Sequence, residues 1–301
     1  IVGAYRDDVG ANADQGSASI YRWTGSGWAF EATLTASDGA AGDLFGGIVA
    51  LSGDTAIVSA TGDDIGSNAD QGSAYVFVRN GSTWTQQAKL TADDGAANDT
   101  FGIVAISGDT VVVGAFFDDV GANVDQGSVY IFTRTGTTWS QRTHLTANDG
   151  ANGDAFGWDT AISGDDVVIG ARGDQVNGNL WQGSAYVFTR VGAAWTQQAK
   201  LTASDGVDQD LFGQSVAMSG DTVLIGASWC NLGANPNQGS AYVFTRSNGV
   251  WAQQAKLTAD DGATYDEFGI SVDLVGDSAV IGAWYDDVGS NNNQGSAYVF
   301  A

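Results

Sequence analysis

The sequence has 301 residues, 43% of them hydrophobic, with 43 glycines against a single proline, a composition that indicates a large core and many tight turns rather than disorder. Thirty-five acidic residues against 11 basic ones leave a formal net charge of −24, which repels nucleic acid and anionic membranes and attracts cations. No stretch is apolar enough over sufficient length to insert as a membrane helix, and Cys230 as the only cysteine excludes an intrachain disulfide.

The chain opens inside a repeat, at Ile1-Val2-Gly3-Ala4, without a methionine or a leader, and reads as a piece of a longer protein. An acidic loop follows, carrying Asp8, Asn12 and Asp14, and then the tripeptide Gln-Gly-Ser. That tripeptide recurs from Gln15, Gln71, Gln126, Gln182, Gln238 and Gln294, at steps of 55 or 56 residues. Phe-Gly recurs in step with it at Phe45, Phe101, Phe156, Phe212 and Phe268. Each period holds four strand-like runs. The first follows Phe-Gly, as in Gln214 to Met218, and the second follows a Ser-Gly-Asp-Thr turn, as in Val111 to Ala115. The third follows Gln-Gly-Ser, as in Ala185 to Phe188, and the fourth runs from Trp195 to Leu201. β-branched and aromatic residues dominate these runs, and none has helical periodicity over useful length.

A period near 56 with four short strands predicts an all-β chain, a β-propeller of four-stranded antiparallel blades. The runs add up to 22 strands in six blades, within one propeller domain over residues 1–301. The first strand of the first blade and the last strand of the sixth are missing from the tally. The expected ring is therefore unclosed, to be completed by the parent chain, with a seventh blade as one option, or by a neighbouring molecule.

Phe-Gly, an apolar run ending in Gly-Ala, and Gly-x-Ala-Tyr-Val-Phe together resemble the FG-GAP repeat of integrin α-subunit heads, in register across essentially the whole chain. The resemblance implies a propeller whose loops meet a ligand, in an extracellular or cell-surface protein. Two departures stand out. The proline after Gly-Ala is replaced by Tyr5, Thr61, Phe116, Arg172, Ser228 and Trp284. The calcium loop of integrin-like members is cut to Ser-Gly-Asp-Thr, as at Ser107 to Thr110, which offers too few oxygens for calcium. That metal site is not carried over.

Strand alternation sends the loops after second and fourth strands to one face, and 26 of the 35 acidic residues lie in them. Arg79, Arg134, Arg190 and Arg246 fall on the other face. Three copies of one loop offer closely spaced oxygens for a calcium ion: Asp8, Asn12 and Asp14; Asp64, Asn68 and Asp70; Asp119, Asn123 and Asp125. The competing reading gives the asparagine an Asx turn and leaves the aspartates in solvent. A second motif, Asp-Gly-x-x-x-Asp-x-Phe-Gly, pairs Asp38 with Asp43 and recurs five times. Its regularity points to backbone acceptors that fix the crossover between blades, with calcium bridging as the alternative.

Residues that break the repeat are the candidates for a ligand surface, the alternative being that they plug gaps between blades or cover the rim: Tyr5, Phe116, Phe117, Arg172, Trp181, Trp229, Trp284 and Tyr285. Aromatic rings beside acids and amides suit a glycan, and aromatics with arginine suit a protein partner. Catalysis is not expected. His144 stands where Lys89, Lys200 and Lys256 stand in other periods, a position read as solvated, and no nucleophile, zinc or phosphate-loop pattern appears. The expected function is a non-catalytic recognition or adhesion propeller for protein or glycan ligands. The alternatives are self-assembly through the unclosed ring, as part of a larger surface assembly, and an accessory role to a secreted hydrolase.

Overall fold

A computed structural model describes residues 1–301 and contains 22 strands and no helix. The fold is a β-propeller of six antiparallel blades, each a simple meander. Blade 1 is β1 (Val2–Ala4), β2 (Ser17–Trp23) and β3 (Trp28–Leu34). Blade 2 is β4 (Phe45–Ser52), β5 (Thr55–Ala60), β6 (Ser73–Asn80) and β7 (Thr83–Leu90). Blade 3 is β8 (Ile103–Ser107), β9 (Thr110–Ala115), β10 (Ser128–Thr135) and β11 (Thr138–Leu145). Blade 4 is β12 (Phe156–Ser163), β13 (Asp166–Ala171), β14 (Ser184–Val191) and β15 (Ala194–Leu201). Blade 5 is β16 (Phe212–Ser219), β17 (Thr222–Ala227), β18 (Ser240–Ser247) and β19 (Val250–Leu257). Blade 6 is β20 (Ser271–Val275), β21 (Ser278–Ala283) and β22 (Ser296–Phe300). The strand tally and order match the sequence reading.

The chain divides into two compact units: Ile1–Val120 with Ser128–Leu145, and Gly121–Gly127 with Thr146–Ala301. Within each unit the core lies between successive blades. In the first, Ala18, Ile20 and Leu34 of blade 1 pack on Phe45, Val58, Tyr75 and Phe77 of blade 2. In the second, Val168, Val187 and Leu201 of blade 4 pack on Phe212, Ile225, Tyr242 and Phe244 of blade 5. Second strands such as β5, β9 and β13 are buried along their whole length. A strand covered on both faces has no polar alternation, which explains runs such as Val-Val-Val-Gly-Ala. The Phe-Gly phenylalanine is the anchor. Phe156 lies edge-on to Tyr186 at 5.4 Å and to Phe188 at 6.0 Å, and each such pair adds about 1 kcal/mol beyond area burial.

Gln-Gly-Ser is the splice between blades. Phe212 donates its N–H to the Gln182 carbonyl at 2.8 Å, and Gly183 bridges Phe212 in parallel register. Gly183 has φ +82°, and a Cβ there would sit 2.0 Å from the Phe212 carbonyl oxygen. Glycine is required twice over, for the left-handed backbone and for the close approach. The third-to-fourth-strand hairpins carry a bulge, in blade 2 between Val76 and Phe77. It leaves one fourth-strand residue unpaired and re-aimed. In the first unit the residues so freed, Glu31 and Gln87, accept the indole N–H of Trp84 and Trp139 from the next blade, at 2.9 and 2.8 Å. The basic face expected from the arginines is neutralised locally, because Arg134 pairs with Asp109, Arg190 with Asp165 and Arg246 with Asp166 and Asp221.

Candidate functional site

The acidic loop after each second strand is built from its own side chains. Asp8 Oδ1 accepts the backbone N–H of Asp14 at 3.0 Å, and Asp64 does the same for Asp70 at 2.9 Å. Asn12 Nδ2 donates to Gln15 Oε1 at 2.8 Å and to the Gly39 carbonyl at 3.0 Å. Asn68 and Asn123 make the same two bonds to Gln71 and Gly95 and to Gln126 and Gly150. The third position is left-handed in all six copies: Asp14, Asp70, Asp125, Trp181, Asn237 and Asn293 have φ between 50° and 54°. Asp and Asn tolerate that region best. The asparagine is therefore a tie from loop to linker, and the first aspartate is a cap. No group of three or more His, Cys, Asp or Glu side chains is gathered at one point.

The linker motif Asp-Gly-x-x-x-Asp serves two purposes. Its second aspartate is buried and takes a backbone N–H three residues earlier, Ala151 to Asp154 at 2.7 Å and Val207 to Asp210 at 2.8 Å, as the crossover reading expects. Its first aspartate joins a polar box that the sequence reading missed. Lys200 Nζ lies 2.6 Å from Asp149 and 2.7 Å from Asp174. The Tyr186 hydroxyl lies 3.0 and 3.1 Å from the same two carboxylates. Ser184 Oγ donates to Asp174 at 2.5 Å. Blade 2 repeats the box with Asp38, Asp63, Lys89, Tyr75 and Ser73. The lysine position is thus a half-buried ion pair, which corrects its reading as solvated. The signal was a constant separation of 51 residues between aspartate and lysine, at Asp38–Lys89, Asp149–Lys200 and Asp205–Lys256.

Burial sets opposite titration behaviour within one linker. Loss of hydration pushes Asp99 and Asp154 up to about 6, with neighbouring carboxylates adding to it. Asp149 feels burial too, but the Lys200 ammonium and the Tyr186 hydroxyl hold it below its ordinary value. A raised carboxyl stabilises the fold below its unfolded value near 4 and loses that contribution as pH rises through about 6. A depressed one stabilises above the unfolded value and loses it on further acidification. Thermal melts between pH 3 and 8 are expected to peak between about pH 4 and 6. Asp99→Asn keeps the acceptor for Ala96 and is expected to flatten the alkaline limb; a maximum above pH 7 would contradict this assignment.

Blade 3 brings together a serine, a histidine and an aspartate. His144 Nε2 lies 2.9 Å from Ser128 Oγ, His144 Nδ1 lies 3.6 Å from Asp94 Oδ2, and the ring stacks on Tyr130 at 5.0 Å. Ser128 is fully buried and donates to Asp118, so its oxygen has no approach for a substrate carbonyl. The arrangement is the same polar box with histidine in the place of lysine.

The unrepeated residues divide by exposure. Phe116 is buried against Phe117 at 4.4 Å. Arg172 lies over the Trp158 ring and donates to Gln214 at 2.9 Å, and burial pulls its pKa down to about 10. Trp229 is half-buried and donates to Glu267. Tyr5, Phe117, Trp181, Tyr265, Trp284 and Tyr285 are exposed.

One pair of positions varies together. Gly62 and Gly173 follow their second strands, and a Cβ at either would lie 2.3 or 2.0 Å from the carbonyl oxygen of Gly42 or Gly153 in the linker. Where Phe117, Trp229 and Tyr285 replace that glycine, the linker residue is Asn98, Gln209 or Tyr265. These three keep a left-handed backbone, at φ 69°, 67° and 70°. A non-glycine residue there costs on the order of 1 kcal/mol, so blades 3, 5 and 6 accept strain where they present aromatic loops.

A search of the curated proteins finds no match. The family model described as "FG-GAP repeat" matches residues 28–77, 84–132, 139–188, 195–244 and 251–300. Each matched segment starts on a fourth strand, crosses the linker and ends on the next third strand, so a splice such as Gln182 to Phe212 joins one matched segment to the next. The chain belongs to the FG-GAP repeat family.

Proposed function

We propose that the chain is a non-catalytic recognition domain of the adhesion type, acting at the cell surface or outside the cell. Its ligand, a glycan or a protein, is held by the loops of blades 5 and 6. The observation that carries this reading is the pairing of exposed aromatics with accepted strain. Tyr265, at φ 70°, stands opposite in sequence pattern to Tyr285, beside Trp284, whose relative exposure is 62%. Large rings left in solvent on a hydrogen-bonded scaffold are the anchors that recognition surfaces use. No helix is long and apolar enough to cross a membrane.

The test is a glycan array together with a surface-protein binding screen, run in calcium and in chelator. Trp284→Ala and Tyr265→Ala are expected to weaken binding at least about 30-fold, the effect of losing a hot-spot ring. Loss in chelator would also assign calcium to the acidic loops. Unchanged binding in both variants would overturn the reading.

A second reading has its own support in blade 1. Tyr21 meets Phe30 at 5.9 Å and Trp23 meets Trp28 at 5.6 Å, all four exposed. The equivalent positions in blade 2 carry Phe77, Arg79, Trp84 and Gln86, which face the preceding blade. Such a row of rings favours contact with another chain, as a component of a larger assembly.

A further inference from the structure

The polar box has one variant that changes its chemistry. In blades 2 and 4 the residue after the second strand is Asp63 or Asp174, which accepts from Ser73 or Ser184 and pairs with Lys89 or Lys200. In blade 5 that residue is Cys230, buried at 4% relative exposure. Its Sγ lies 3.5 Å from Lys256 Nζ and 3.8 Å from the Tyr242 hydroxyl. Ser240 is the counterpart of Ser184, is fully buried, and its Oγ has no hydrogen-bond partner. The equivalent register, Ser240 opposite Ala227 as Ser184 is opposite Ala171, aims that hydroxyl at Cys230 as its sisters aim at aspartate. A neutral thiol is a weak acceptor. Donors that meet a carboxylate in the sister blades therefore face a single sulfur atom here.

We propose that Cys230 is an oxidation site for a peroxide, and that its sulfinate occupies the place of the aspartate in the sister blades. A first hydrogen peroxide transfers one oxygen to sulfur: the thiol becomes a sulfenic acid, the O–O bond breaks and one water leaves. A second peroxide converts the sulfenic acid to a sulfinic acid, again releasing one water, and the acid gives its proton to solvent. Sulfur loses two electrons in each step and each peroxide gains two. The sulfinate has two oxygens and one negative charge on the same Cβ, as aspartate has on its own. Ser240 Oγ and Lys256 Nζ then donate to it. The lysine side chain is about a quarter exposed, which leaves a small oxidant a route to the sulfur.

The experiment treats the full chain and its Cys230→Ser and Cys230→Asp variants with graded hydrogen peroxide, followed by peptide mapping and thermal melts. The wild-type Cys230 peptide is expected to gain two oxygens, about 32 Da, in a form that thiols do not reverse. Its melting temperature is expected to rise by about 2 °C or more relative to Cys230→Ser treated alike, which corrects for oxidation of Met218. Cys230→Asp is expected to show the rise without peroxide and no further gain with it. A thiol that stays unmodified at peroxide levels that oxidise the unfolded chain would overturn the proposal. So would a sulfinate that forms while the melting temperature stays level or falls.

Discussion

Gly183→Ala is expected to destabilise the fold by at least about 3 kcal/mol, lowering the melting temperature by about 6–12 °C. The new Cβ would lie 2.0 Å from the Phe212 carbonyl oxygen and 2.7 Å from its nitrogen. Both are backbone atoms of the next blade, so no side chain can swing away. Relief requires breaking the Phe212 to Gln182 hydrogen bond, which unlocks Phe212 from Tyr242 and Phe244. Gly192→Ala is the control. Gly192 has the same left-handed backbone, at φ +66°, with nothing near its Cβ. It is expected to cost only about 1 kcal/mol, the conformational penalty alone. Equal losses in the two variants would show that the splice between blades tolerates separation.

Lys200→Met is expected to cost about 2–3 kcal/mol at neutral pH. The lysine is the only cation between Asp149 and Asp174, and Asp174 is buried. Removing one partner of such a pair leaves an uncompensated buried charge, whose cost reaches 3–5 kcal/mol in full burial (~3 as the lower limit). The partial exposure of the lysine places this case at the low end. Adding Asp174→Asn is expected to recover most of the loss. Blade 5 supplies an internal comparison, because Lys256 faces Cys230 and the half-exposed Asp205. Lys256→Met is therefore expected to cost less than Lys200→Met, by denaturant melts of the two variants. The reverse order would mean that packing of the methylene stem, not charge, dominates at this position.

The blades themselves were legible because a repeat declares its own boundaries. Gln-Gly-Ser and Phe-Gly recur in fixed phase, and short β-branched and aromatic runs between glycine-bearing turns leave little choice of strand. The buried acceptor role of Asp154 and Asp210 was legible for the same reason, being identical in every linker. The polar box was hidden because its bonded partners lie 10 to 51 residues apart. Composition ranks lysine as a surface residue, and only the fold shows that it crosses to the preceding linker. His144 is exposed, and its bond to Ser128 was hidden by the same separation in sequence. The left-handed backbone at Asp14, Asp70 and Asp125 was also hidden. Closely spaced aspartates look alike whether they gather an ion or cap a turn. The strained Trp181 shows that the backbone demand at this position persists after the favoured residue is gone.

The coupling between linker and loop residue also bears on how such a chain diversifies. Gln209 and Trp229, or Tyr265 and Tyr285, are co-varying positions that lie within one uninterrupted stretch of sequence. A gene-conversion event copying only that stretch from one repeat to another carries both halves of the fit together. A point mutation at Gly173 alone meets the Gly153 carbonyl and is penalised before any new contact can be selected. Inheritance in short blocks, rather than residue by residue, is therefore the route this architecture leaves open for acquiring a new aromatic loop.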